Sequence, residues 1–161
     1  MNENFLSRKE ISRSTKMNVY KAIYRPILTF ACESWVLDRR QKSRMQAIEM
    51  KYLRKVKEIT RMHRVRNDLI REDIGIEPLQ DFIEKRQLSW WGHLNRMNHE
   101  RPARKVWEAK VTGRRRRGRP VTTWDKQMGK IIGERGQTWE RARKMTANKK
   151  EWSKFVYEGR I

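Results

Sequence analysis

The sequence predicts an all-α protein, in which a helical bundle is followed by a basic linker and a small helical C-terminal piece. Apolar side chains recur at spacings of three and four, no stretch alternates like a strand, and Ser, Thr and Asn stand where helices would begin. We expect residues 1–11 to form a flexible N-terminus, 12–110 the bundle, 111–122 the linker and 123–161 the C-terminal piece. Hydrophobic residues make up 37% of the 161, enough for one core but hardly for two independent ones.

The composition is strongly basic. The 40 Lys and Arg residues outnumber the 19 Asp and Glu residues, which gives a formal net charge of +21 at pH 7. Such a surplus creates a positive field that attracts polyanions, above all nucleic acid and secondarily an anionic membrane surface. We expect DNA, RNA or both as the partner, and no membrane.

The cysteine count and the apolar runs exclude several classes of protein. Cys32 is the one cysteine in the sequence, so the chain cannot build a disulfide scaffold. The longest nearly apolar run, residues 26–32, is far shorter than the roughly 20 residues of a membrane-spanning helix. The charged N-terminus does not resemble a secretory signal. We therefore expect a nuclear or cytoplasmic protein, with the nucleus favoured.

The first predicted helix begins at Ser12 or Ser14 and ends near residues 35–38. Its apolar face is formed by side chains at spacings of three and four, namely Tyr20, Ile23, Tyr24, Ile27 and Ala31. Because Pro26 lacks a backbone N–H and its ring crowds the preceding turn, we expect a kink or a break just before it.

The second predicted helix, residues 39–62, has the clearest pattern. Its apolar side chains fall within a narrow arc at 100° per residue: Met45, Ile48, Tyr52, Val56 and Ile59. Four cationic side chains fall in another arc, about a quarter turn away: Arg40, Arg44, Lys51 and Lys55. Lys51 and Lys55 repel each other at i,i+4, and a phosphate backbone would relieve that repulsion. We predict nucleic-acid contacts along this stripe; the alternative is an ordinary solvated face.

Two further helices are predicted before residue 98. Asn67 can cap a third helix that ends at Gly75, and a fourth helix follows Pro78. The core face of the fourth helix comprises Leu79, Phe82, Ile83, Trp90, Leu94 and Met97. Trp91 lies off that arc together with Leu88, so base stacking by Trp91 is one interpretation and core packing the other. His93 lies within the arc, and we expect it to form a hydrogen bond in the core.

An arginine-rich segment interrupts the helical pattern. A short helix near Pro102 precedes it, and further helices are predicted after Thr123, Thr138 and Asn148. The segment is assigned to a loop, and its cations are Arg114, Arg115, Arg116, Arg117 and Arg119. Arginine grips phosphate bidentately and enters a narrow minor groove, and the sequence Arg-Gly-Arg-Pro resembles an AT-hook. We predict nucleic-acid contact here; a nuclear import signal and an inert linker are the alternatives.

No catalytic or metal-binding pattern is found in the sequence. A structural zinc site needs four Cys or His ligands, and Cys32, His63, His93 and His99 lack a suitable spacing. Cys32 lies in an apolar stretch, which favours a buried and inert thiol. The phosphate-binding pattern Gly-x-x-x-x-Gly-Lys-Ser/Thr is also absent. We expect no metal, no cofactor and no reaction catalysed by this chain alone.

Several segments, taken in order, resemble the region downstream of the polymerase palm in LINE-type (non-LTR) retrotransposon endonuclease–reverse transcriptases. The resemblance covers most of residues 12–156. The matching residues are Thr15-Lys16 and Tyr20 through Leu28, Glu33-Ser34-Trp35, Glu49 with Leu53-Arg54, Arg66-Asn67 and Arg71, Leu88 through Met97, Arg117-Gly118-Arg119-Pro120 with Trp124, and Asn148-Lys149 with Trp152.

The resemblance implies a thumb-like helical bundle with a basic C-terminal extension. A thumb holds the primer–template duplex by its backbone, so the four cations of the second helix would be backbone contacts and the arginine run a clamp. The Tyr-x-Asp-Asp motif of the palm, whose aspartates hold the two catalytic metal ions, is absent. We interpret the chain as a nucleic-acid-binding C-terminal fragment of such an enzyme, joined to an upstream polymerase domain if expressed within a longer protein.

Two other interpretations stay open. The chain could be a non-functional relic, or a protein-interaction module with a nuclear-targeting basic run. It could also be part of an active RNA-directed DNA polymerase whose palm lies upstream. Replacement of the arginines of the run by alanine separates the first of these from nucleic-acid binding, since unchanged binding and unchanged nuclear localisation would favour a relic or an interaction module.

Overall fold

The computed structural model describes residues 6, 8–109, 117–118 and 122–158. The all-α prediction is confirmed there, since helices make up most of the described chain and none of those residues lies in a strand. No described helix is both long and apolar enough to cross a membrane. The chain divides into two compact units, one of Met1–Cys32 with Leu37–Ile83 and the other of Glu33–Val36 with Glu84–Ile161.

Each unit is built from short and medium-length helices. Those before residue 79 are α1 (Arg13–Val19), a π-helical turn (Tyr20–Tyr24), α2 (Arg25–Leu28), a 3-10 turn (Cys32–Ser34), α3 (Arg39–Val56), a 3-10 turn (Arg61–His63) and α4 (Asn67–Ile74). The later ones are α5 (Leu79–Arg96), α6 (Pro102–Glu108), α7 (Trp124–Glu134), α8 (Trp139–Met145) and α9 (Lys149–Glu158). α5 contributes residues 79–83 to the first unit and residues 84–96 to the second.

Most helices begin or end at the capping residues that the sequence indicates. The side chains of Ser12, Thr123 and Thr138 each accept a hydrogen bond from the backbone N–H three residues later. The side-chain oxygen of Asn148 accepts from two N–H groups in the first turn of α9. These bonds satisfy donors that have no partner within the helix. Gly75 takes the left-handed conformation, with φ +70°, that ends α4.

The first predicted helix is interrupted next to its proline, as expected. In the π-helical turn the N–H of Arg25 bonds to the carbonyl of Tyr20, and Pro26 then lies in the first turn of α2. The wider turn accommodates the proline ring and also shifts the helical register. Tyr20 is buried, as predicted, whereas Ile23 and Ile27 are exposed, which corrects the predicted apolar face.

α3 is shorter than predicted and buries a different face. It ends at Val56 rather than near residue 62, since Glu58 adopts a left-handed φ of +57° that a helix cannot continue through. Ile48, predicted in the core, is 43% exposed. The buried side chains are Glu49, Met50, Tyr52, Leu53 and Val56. The buried face is rotated toward Met50 and Leu53, and it includes a carboxylate, which an apolar pattern does not reveal.

Tyrosines join α1 to α3 in the core of the first unit. The Tyr52 ring lies 5.2 Å from that of Tyr20 and 4.5 Å from that of Tyr24, between centroids. The Tyr52 hydroxyl donates a 2.8 Å hydrogen bond to the backbone carbonyl of Lys16. Burial raises the pKa of Tyr52 to about 12, so the hydroxyl keeps its proton at neutral pH. The remaining buried members of this core are Leu6, Met17, Met50, Leu53, Val56, Ile70 and Ile76.

The core of the second unit is centred on indole rings. Trp91, fully buried, lies 4.9 Å from Trp139 and 5.2 Å from Trp152, between ring centroids. The Trp152 Nε1 donates to the Leu88 carbonyl at 3.0 Å. The predicted core face of α5 is corrected here, because Leu88 and Trp91 are buried and Trp90 is only partly so. The other buried members are Met128, Ile131, Ile132, Ala142, Phe155 and Val156.

The predicted division at residues 111–122 does not coincide with the boundary between the compact units. The helices on both sides of that segment, α6 and α7, belong to the second unit. The Trp107 and Trp124 rings meet edge to face at 6.4 Å between centroids, and the Trp107 Nε1 donates to Asp125 at 2.8 Å. These aromatic contacts connect α6 to α7, which the composition had suggested belong to separate parts of the chain.

Gly92 is the point at which α5 admits the Trp152 indole. A Cβ atom built on Gly92 would lie 2.1 Å from the Trp152 Nε1. We predict that Gly92→Ala lowers the free energy of unfolding by about 1–3 kcal/mol, because the ring must move within a packed core. Urea unfolding followed by circular dichroism measures this change.

Gly129→Ala is the matched control, since Gly129 also lies inside a helix of the second unit. A Cβ there meets only the Trp139 ring at 3.8 Å, an ordinary contact. The gain in helix propensity should make this variant more stable by up to about 1 kcal/mol. Equal stability changes in the two variants would contradict the proposed close packing of Gly92 against Trp152.

Candidate nucleic-acid interface

α3 carries a nearly uniform positive charge. Seven of its 18 residues are Lys or Arg, and Glu49 is the one acidic residue among them. The Asp38–Gln41 capping box fixes the start of the helix, with Asp38 Oδ1 accepting the Gln41 N–H at 2.7 Å. Because Glu49 is completely buried, no carboxylate of α3 itself reaches the solvent.

The four predicted stripe residues share the outward face of α3. Arg40, Arg44 and Lys51 are exposed, and Lys55 is partly exposed. At 100° per residue their arc lies roughly 160° from the centre of the buried arc, so it is opposite the core rather than a quarter turn from it. Among the described residues Arg40 and Arg44 have no ion-pair partner, whereas Lys51 and Lys55 make further interactions within the protein.

A buried ion pair between Glu49 and Arg71 holds α3 against α4 and neutralises the one carboxylate of α3. Glu49 Oε2 lies 2.5 Å from Arg71 Nη2, and Glu49 Oε1 accepts a 3.2 Å hydrogen bond from the Tyr20 hydroxyl. Burial and the adjacent Glu49 carboxylate raise the pKa of Tyr20 well above its usual value, so the phenol remains a donor. The negative charge of Glu49 is therefore balanced internally by Arg71.

Other cations of the first unit have structural partners. The Arg54 guanidinium donates to the Asn67 side-chain oxygen at 2.6 Å and to the Val65 carbonyl at 3.3 Å. Lys57 lies 3.1 Å from Asp73, and hydrogen bonds from Lys57 and Arg13 lower the pKa of the Asp73 carboxyl. Arg13, Arg54 and Lys57 therefore contribute to the fold, whereas Arg40 and Arg44 are exposed and have no ion-pair partner among the described residues.

A cavity of about 400 Å³ lies beside α3 in the first unit. Its polar lining includes Arg39, Lys42, Gln46, Glu49 and Arg71. Glu49 is already paired with Arg71, and neither Arg39 nor Lys42 has an ion-pair partner in the described part of the chain. The cavity therefore extends the cationic surface of α3 to a second side of the helix.

The described residues include one arginine of the predicted arginine run. Arg114, Arg115, Arg116 and Arg119 lie outside the described residues. Arg117 is described and exposed, and Gly118 follows it with φ +112°, a conformation that favours glycine.

The stacking interpretation of Trp91 is wrong. Its indole is fully buried between Trp139 and Trp152, where no base can reach it. His93, expected in the core, is instead exposed, with its ring 5.4 Å from that of the partly exposed Trp90. Arg86, Trp90 and His93 follow one another at spacings of four and three, which places them on one side of α5. This spacing is the sequence pattern that could have predicted a polar surface on that side of the helix.

No group of His, Cys, Asp and Glu suited to hold a metal ion occurs among the described residues. Cys32 is buried, as predicted. The described carboxylates nearest to cations are engaged with them, as in Glu108, which pairs with Arg104 and lies 3.0 Å from His99 Nδ1.

Comparison with known proteins shows a similarity to a transposon-derived protein. The chain is 30% identical over 89 residues to an uncharacterized transposon-derived protein of Caenorhabditis elegans, a match covering 52% of this chain and 32% of that protein. The chain thus spans about a third of the length of that relative. No protein-family model matches. No solved structure matches either.

The Glu49–Arg71 pair yields a test of how α3 is held. We predict that Glu49→Gln lowers the free energy of unfolding by about 3–5 kcal/mol, because it leaves the Arg71 charge largely buried without its counterion. Chemical denaturation measures the change. Glu72→Gln, on the exposed side of α4, is the control and should shift stability by no more than about 0.5 kcal/mol. A near-neutral Glu49→Gln variant would contradict the structural role assigned to the pair.

Proposed function

We propose that this chain binds nucleic acid through the sugar–phosphate backbone, with the outward face of α3 as the main contact surface. Arg40 and Arg44, together with Lys51 and Lys55, would each approach a phosphate. Arginine presents a planar fork that matches two phosphate oxygens, and lysine a compact point charge. The role is one of binding, without a reaction of its own; extension of a primer by the purified chain would contradict this part.

One observation carries the proposal: Arg40, Arg44 and Lys51 face the solvent, while the one carboxylate of α3 is buried and paired. An ordinary solvated helix mixes charges of both signs on its outer face, because opposite charges at i,i+4 stabilise it. Here Arg40 and Arg44 stand at i,i+4 with like charge and no ion-pair partner in the described residues. A polyanion is the ligand class that would relieve this repulsion.

The similarity to a transposon-derived protein supports the proposal, since transposition requires handling of nucleic acid. The finer assignment, to the thumb and basic extension of a LINE-type reverse transcriptase, rests on the resemblance of residues 12–156 alone. On that assignment the face of α3 would follow one strand of a primer–template duplex. The arginine run, including Arg117, would add contacts to template or target, with a preference for A·T-rich duplex if it acts as an AT-hook.

Salt dependence tests this proposal. If six to ten phosphates are engaged, affinity for duplex DNA should fall by about 10³–10⁵ between 50 and 200 mM salt. The double variant Arg40→Ala/Arg44→Ala should reduce the slope of log K against log salt by about 2, because two phosphate contacts are lost. Fluorescence anisotropy with a labelled duplex, at several salt concentrations, measures both quantities.

The double variant Lys126→Ala/Lys130→Ala is the matched control, because it removes two exposed cations at the same spacing from α7. Lys130 already lies 3.7 Å from Glu134, so its charge is partly compensated. This control should leave the slope nearly unchanged. Equal losses in the two double variants would show diffuse attraction to the whole basic surface, and salt-insensitive binding would contradict the proposal altogether.

A further inference from the structure

A second polar groove lies in the second unit, on the side of α5 away from its core. It has a volume of about 410 Å³, and its lining from α5 includes Arg86, Trp90, His93 and Arg96. Lys149 and Tyr157, near the two ends of α9, line it as well. The α5 residues follow one another at spacings of four, three and three, which places them along one side of the helix.

The groove brings aromatic rings to the surface rather than into the core. Trp90 is partly exposed, His93 is exposed, and Tyr157 is 58% exposed. The Trp90 and His93 rings are tilted by 41° with centroids 5.4 Å apart. The open part of the Trp90 indole, together with the exposed rings of His93 and Tyr157, offers flat surfaces on which a ligand with a flat face of its own can stack.

The charges of the groove favour an anion beside that flat face. Glu33 also lines the groove, and its negative charge is paired with Arg86, whose Nε donates to the Glu33 carboxylate at 2.7 Å. Arg96 is held in position by a 2.8 Å bond from Nη1 to the Thr146 carbonyl, and its charge is not neutralised by that neutral acceptor. Lys149 is exposed and has no ion-pair partner among the described residues. Arg96 and Lys149 therefore supply positive charge next to the rings.

A nucleotide of a single strand combines these two features, a π-face and a flanking phosphate. Bases of a duplex are stacked within it and cannot lie on a protein ring without being unpaired. Exposed aromatic rings interleaved with cations are the arrangement by which proteins bind single strands with little sequence preference. An apolar small molecule would not explain the cations, and an acidic peptide would not explain the rings.

We propose that this groove binds an unpaired nucleotide of single-stranded DNA or RNA, with the base stacked on Trp90 and adjacent phosphates contacting Arg96 and Lys149. The inference rests on the proposed nucleic-acid-binding function and adds to it a site distinct in chemistry from the face of α3. The face of α3 contacts backbone alone, whereas this groove requires a base.

Two labelled oligonucleotides of equal length test the groove, a thymidine 12-mer and an abasic 12-mer with the same phosphates. The native chain should bind the base-bearing strand about 5- to 150-fold more tightly. Trp90→Ala should abolish that preference while leaving affinity for the abasic strand unchanged, and Trp90→Phe should retain part of it. Circular dichroism of each variant establishes that it is folded.

A second measurement on the native chain does not depend on the folding of Trp90→Ala. Photocrosslinking with an iodouracil-substituted single strand, followed by peptide mapping, should label the segments that contain Trp90, His93 or Tyr157. Labelling confined to other segments would overturn the inference, as would a base preference that survives in Trp90→Ala.

The remaining outcomes separate this inference from the proposed function. Equal binding of the two strands by the native chain would overturn the stacking site and leave backbone binding intact. Failure to bind either strand or a duplex at low salt would overturn both proposals. Displacement of the thymidine strand by a polyglutamate peptide of equal charge, as efficiently as by unlabelled strand, would also overturn the stacking site.

Discussion

The structure depends on how few carboxylates it has and on where they lie. With a net charge of +21, the chain folds against its own repulsion, so each acidic side chain that joins cations within a unit matters. Glu49 is the clearest case, because it is buried against Arg71 and accepts a bond from Tyr20. Asp73 likewise contacts both Arg13 and Lys57. Because Glu49 is engaged inside the fold, no carboxylate of α3 itself compensates the cations on its outer face.

Aromatic side chains supply core contacts that the modest aliphatic content of the chain does not provide. In the first unit three tyrosine rings connect the π-helical turn and α3, and in the second unit Trp91, Trp139 and Trp152 form the centre of the core. Gly92 is needed because the Trp152 ring lies directly against the backbone of α5. Burial of these rings on one side of α5 leaves Trp90 and His93 on another side, where they line the polar groove. One helix thus serves both the core and a candidate binding surface.

The sequence predicted where helices begin better than where the first two end or which faces they bury. Caps such as Thr123, Thr138 and Gly75 act locally, so their effect can be derived from a few neighbouring residues. Faces depend on tertiary partners: a purely apolar pattern selected Ile48 and overlooked the buried Glu49, whose charge is acceptable only beside Arg71.

The candidate sites were predicted unevenly for the same reason. The stripe residues of α3 were correctly grouped on one face, because like charges at regular spacing are visible in the sequence. Which of Trp90 and Trp91 is buried was predicted wrongly. The two tryptophans are adjacent, and only the packing of α5 decides which of them meets the core. A mapping of backbone amide and arginine side-chain NMR shifts during titration with duplex DNA tests the central claim most directly. The account predicts that the largest shifts at saturation lie on residues 40, 44, 51 and 55; small shifts spread evenly over the cations of both units would contradict it.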